Sequence, residues 1–72
     1  MKLFEMVRIN DESGVSGTGK VLEGVVFNNG TVVASWTTSG PNSVCIYDNF
    51  QDFEAIHITP HPTNETKITW IK

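Results

Sequence analysis

The sequence holds a single cysteine, only five basic residues and no run of 18 consecutive apolar residues. A lone Cys45 cannot close an internal disulfide, which excludes a stapled secreted scaffold and fits a reducing compartment. Five Lys and Arg against eight Asp and Glu give a net charge of −3 and an isoelectric point near 5.1. Duplex nucleic acid demands clustered cations to neutralise its phosphates, so it is not an expected partner. No segment is long enough to cross a bilayer as a helix. The first apolar stretch, Lys2 to Arg8, carries three charges where a signal peptide needs an uncharged core. A cytoplasmic protein without membrane contact is expected.

Size sets a further bound. A chain of 72 residues buries only about 60% of its unfolded surface, so most apolar side chains must serve one core and little is left for a deep catalytic cleft. Residues 1–72 therefore read as a single small β domain. Only 18% of residues are charged, low for the surface of a small monomer, and this admits a homo-oligomer.

What is present is a series of short runs rich in Val, Ile, Thr, Phe and Trp, bounded by Gly, Asn, Ser and Pro, the pattern of strands joined by tight turns. Strands are predicted over Leu3–Ile9, Val21–Phe27, Thr31–Trp36, Val44–Tyr47 and Thr66–Ile71. Asn29-Gly30 predicts a type I′ hairpin between the second and third, with Val32, Ala34 and Trp36 sharing a face. Phe50, Phe53 and Ile56 recur every three residues behind the capping candidates Asp48 and Asn49, which predicts one short helix near residues 49–57. The fold class is mainly β. Five antiparallel strands in so short a chain hide their edges best as a partly closed barrel of the SH3-like kind, a meander whose last strand pairs with the first. The alternative is an antiparallel sheet covered by the helix on one side and by a second subunit on the other.

Three constellations carry conceivable chemistry. Gly14 to Lys20 reads G-x-x-x-x-G-K, the phosphate-loop pattern up to its last position, but residue 21 is Val where a hydroxyl should hold Mg²⁺, and a strand-like run follows where a helix is needed. The plain reading is a turn-rich connection whose glycines take positive φ. An anion-binding concavity of backbone N–H groups, helped by Ser16, Thr18 and Lys20, is the functional one. His57 and His61 are four apart, yet Pro60 and Pro62 break any helix that would align them on a metal, so neither a metal nor a cofactor is expected. Cys45 and His57 could be paired as nucleophile and base, but Cys45 lies in an apolar run where a thiol is inert; no catalytic residue is assigned and no enzyme is expected. Trp36, Tyr47, Phe50, Phe53 and Trp70 could form a stacking platform, although most must be core.

Ser13-Gly14-Val15-Ser16-Gly17-Thr18-Gly19, then Glu23-Gly24-Val25 with Phe27, Gly30-Thr31-Val32 and Trp36, resemble a pattern of short hypothetical proteins of phages and prophages. Ser43, Tyr47-Asp48, Asp52, Ile56-His57, Thr66 and Trp70 continue the likeness, which covers most of the chain from Ser13 onward. Those proteins read His-Gly-His after the helix, where this chain has His57-Ile58-Thr59-Pro60-His61. The resemblance implies origin in a phage or mobile element more than an activity.

Two functions follow as expectations. The first is a non-enzymatic interaction module that binds and modulates a host or viral protein through an exposed apolar groove. Its acidic residues Asp11, Glu12, Asp48, Asp52 and Glu54 would dock a basic partner in a salt-sensitive way. The second is an oligomer that sequesters a small anionic ligand of the nucleotide type. It would use Arg8, Ser16, Gly17, Thr18, Gly19 and Lys20 with Tyr47 and His57. Single-strand nucleic-acid binding on an aromatic face is opposed by the net charge of −3.

Overall fold

A computed structural model describes residues 1–10, 18–38, 42–60 and 62–71. Five strands, β1 (Lys2–Arg8), β2 (Gly19–Val26), β3 (Val32–Trp36), β4 (Val44–Tyr47) and β5 (Thr66–Ile71), form one antiparallel sheet in the order β4-β3-β2-β1-β5. One helix, α1 (Phe50–His57), follows β4, and a single 3₁₀ turn, Pro62–Asn64, leads into β5. The expected meander and the pairing of the last strand with the first are both present. The sheet is not closed, because β4 and β5 are its two edges. This is compatible with a partly closed barrel, and it leaves the sheet with two distinct faces.

Strand periodicity assigns the faces. Phe4, Met6 and Arg8 of β1 lie opposite Gly24, Leu22 and Gly19 of β2 and opposite Trp70, Ile68 and Thr66 of β5, on the face covered by α1. Val32, Ala34 and Trp36 of β3 join them, as the alternation predicts. Phe4, Met6, Leu22, Val32, Ala34 and Phe53 are wholly buried and make up the core with Val21. Aromatic rings dominate it: Phe4 meets Phe50, Phe53 and Trp70 edge-on or tilted, with centroids 5.3, 5.4 and 5.5 Å apart, in the range where ring quadrupoles favour such contacts. Gly24 is required beneath this cluster, since a Cβ there would lie 2.5 Å from Phe4 Cζ and 2.9 Å from the backbone oxygen of Val33. A glycine inside a strand commonly marks such a close approach.

Two local features differ from expectation. Between β2 and β3, Gly30 donates to the Phe27 carbonyl at 2.9 Å and Phe27 donates to the Thr31 carbonyl at 2.8 Å. Gly30 takes φ +95° while Asn29 stays at negative φ. The connection is thus a type I turn closed by a left-handed glycine, not type I′, and the Asn29 side chain accepts from Thr31 N–H instead of supplying positive φ. In α1, Asn49 caps the first turn by accepting from Asp52 N–H at 2.8 Å. The inward stripe, however, is Phe50, Phe53 and His57, and Ile56 is 54% exposed. The i, i+3, i+7 spacing of a helix face selects His57 over its apolar neighbour.

A bulge interrupts β2. Met6 pairs with Leu22 but Val7 pairs with Lys20, so Val21 is an extra residue in that strand. From there outward the alternation of β2 is inverted.

Candidate functional site

The covered face changes character toward one end. Arg8 closes β1 on the same side as Phe4 and Met6 and is only 5% exposed. Its guanidinium carbon lies 5.7 Å from the Trp36 ring centroid, within cation–π range. Its Nε is buried and has no hydrogen-bond partner among the described residues. Its cross-strand partner on β5, Thr66, has a buried hydroxyl in the same condition. Trp36 in turn meets the His57 ring at 5.2 Å, and the Tyr47 hydroxyl is hydrogen-bonded to His57 Nε2. Desolvation, and then a hydrogen bond with Cys45, push the Tyr47 phenol up to about 12, so it stays protonated as a donor at neutral pH. A guanidinium, an indole, an imidazole and a phenol are thus joined by successive contacts across a face that is otherwise hydrocarbon, with Thr66 paired to Arg8.

The opposite face has no helix over it. Ile46, Val33, Val25, Leu3 and Ile71 are successive cross-strand neighbours, one from each strand, and form an unbroken apolar row across the sheet. Ile46 is 72% and Leu3 48% exposed. An open depression of about 410 Å³ lies along this row, with Glu23 and Ser35 on its polar side and Val44 at one end. In the neighbouring row Glu5 and Glu23 face each other directly. That like-charge pair is relieved by Lys20, whose Nζ lies 2.7 Å from Glu5 and 2.9 Å from Glu23. Hydrogen bonds to Glu5, and then to Glu23, raise the Lys20 pKa and hold it cationic.

The family description Acb5 phage protein matches residues 1–72. The chain belongs to the Acb5 phage protein family. No curated protein and no solved structure matched it. The family match supports the phage-type protein expected from the sequence.

The residues nominated from sequence for a small anion divide between the two faces. Arg8, Tyr47 and His57 are linked on the covered face through Trp36. Lys20 points outward into its pair of carboxylates. Thr18 and Gly19 are exposed at the start of β2, with Gly19 at φ +80°, while Ser16, Gly17 and His61 lie outside the described residues. Sequence reasoning missed Thr66 as a site residue. The register that sets it beside Arg8 depends on β5 pairing with β1, which no local pattern encodes. Cys45 is half-buried and free beside Tyr47. Among the described residues no cluster of three potential metal ligands occurs, and no helix is long and apolar enough to cross a membrane.

Proposed function

We propose that this Acb5-family chain is a non-enzymatic binding module, a phage accessory protein that docks on a host or viral protein through its outer sheet face and modulates it. The observation that carries this reading is the apolar row Ile46–Val33–Val25–Leu3–Ile71. Monomeric proteins seldom leave a contiguous apolar strip of this kind in water, and an aliphatic surface supplies adhesion without acid, base or nucleophile. Five strands at about 4.8 Å and six residues at about 3.3 Å make a face of roughly 24 by 20 Å. Covering it removes on the order of 1,000 Å² from both partners together, the lower bound for a specific interface.

Charge defines the partner's chemistry. Glu5 and Glu23 are already bridged by Lys20, so the complementary surface is apolar and uncharged and its docking is insensitive to salt. The salt-sensitive mode expected from the acidic residues would use another surface: Asp48 and Asp52 are exposed around the start of α1.

The test is co-purification of the tagged chain from infected host cells, beside the variants Val44→Lys and Ile46→Lys. A stoichiometric protein partner that is lost with both variants, and whose complex re-forms from purified components at low and at high salt, supports the reading. A complex that survives both substitutions overturns it, as does native mass spectrometry showing that this face is taken by a second copy of the chain.

A further inference from the structure

We propose that the Arg8–Thr66 end of the covered face is a second binding site, one that takes the phosphate group of a small ligand, with Trp36, Tyr47 and His57 as its rim. This site is independent of the docking face, which lies on the other side of the sheet. Three observations converge on it. Arg8, only 5% exposed as a residue, has a buried Nε without an acceptor among the described residues. The residue paired with it across β1 and β5, Thr66, has a buried hydroxyl equally without a partner. The ion pairs among the described residues are those of Lys20, so no carboxylate there neutralises Arg8.

Buried polar atoms are satisfied in native proteins, and two orphans on directly paired residues mark a place that a further group completes. That group must accept hydrogen bonds and carry negative charge, because the guanidinium offers only donors. Arg8 and Thr66 reach it from separate strands, and a phosphate group offers separate oxygens to the guanidinium and to the hydroxyl. The rim extends the donor set. The Tyr47 hydroxyl, held protonated, and the His57 ring share a hydrogen bond, and half-buried Trp36 contacts both Arg8 and His57. A planar ring carried on the phosphate would find aromatic surface there.

Arg8 is the only arginine in the sequence, so its Nε–Hε cross-peak in a ¹⁵N-labelled sample reports this site alone. The full chain is titrated separately with inorganic phosphate, AMP, adenosine and sodium chloride at matched ionic strength. The proposal expects saturable movement of the Arg8 Hε signal with phosphate and with AMP, and none with adenosine or chloride. AMP binding at least tenfold tighter than phosphate identifies a nucleotide-type ligand held through its ring as well. Equal affinities identify a site for the phosphate group alone. An Hε signal unmoved by millimolar phosphate and AMP, or moved equally by chloride, overturns the site and leaves Arg8 as a structural cation stacked on Trp36.

Two substitutions keep the test decisive if Arg8 is also needed for folding. Arg8→Lys retains the charge but loses the planar fork and should weaken AMP binding about tenfold, read by Trp36 fluorescence in a Trp70→Phe background. Thr66→Val removes one orphan hydroxyl at constant volume; it should weaken AMP binding several-fold while raising the melting temperature. Unchanged AMP binding in both variants refutes the assignment.

Discussion

The two faces of this sheet receive the same kind of backbone and opposite treatment. One is roofed by an eight-residue helix and filled with rings, Phe4, Phe50, Phe53 and Trp70, while the other presents an aliphatic row to water. A sheet needs a second layer on each apolar face, and a chain this short supplies only one. The covered face therefore carries the stability of the chain, and the bare face is the docking surface of the proposed function. Substitutions should separate these roles cleanly.

The largest expected effect is on the covered face. Phe53→Ala empties the centre of the ring cluster and should cost about 3–5 kcal/mol in urea denaturation. A loss below about 1 kcal/mol would mean that α1 is not the roof it is described to be. Next is Gly24→Ala, whose new methyl would meet both the Phe4 ring and the backbone oxygen of Val33. Overpacking of this kind should cost about 1–3 kcal/mol, and a neutral result would show that Phe4 can move aside.

A pH scan sharpens the contrast between the dry and the polar end of the covered face. The Tyr47 phenol is raised from 10.0 to about 12 in the folded chain, first by desolvation. Between those values the unfolded chain holds fewer protons than the folded one, so stability present below pH 10 should fall as pH rises toward 12. Tyr47 is the only tyrosine, so tyrosinate absorbance follows it without interference, and an ordinary midpoint near 10 would contradict its burial. The smallest effect on folding belongs to the bare face. Ile46→Lys, at a site 72% exposed, should leave the stability of the monomer within about 0.5 kcal/mol while abolishing docking.

Much of the architecture was legible because it is local. Val44–Tyr47 and Thr66–Ile71 begin and end where turn residues say they should, and the Asn49 cap with Phe50 and Phe53 announces α1. Local pattern failed where two elements meet. Ile56 is the more apolar candidate for the helix stripe, but the floor it would have met is made by Trp36 and Tyr47, which accept an imidazole instead. The candidate site was half legible. Alternation from Phe4 through Met6 places Arg8 on the buried side, yet its charge argues for water, and only the pairing of β1 with β5 shows that an orphan hydroxyl waits beside it. The bare face was readable as the apolar residues Val44 and Ile46. That they continue through Val33, Val25 and Leu3 to Ile71 depends on register across all five strands.

The bulge at Val21 decides where charge is placed. Were Val21 paired in regular register instead of bulged, Lys20 would fall opposite Arg8 on the covered face and leave Glu5 and Glu23 facing each other unbridged. A single bulge thus sorts two cations to opposite sides of one sheet. Deleting Val21 should leave Lys20 opposite Val7 with its bridge to Glu5 and Glu23 intact, at the cost of one buried core side chain.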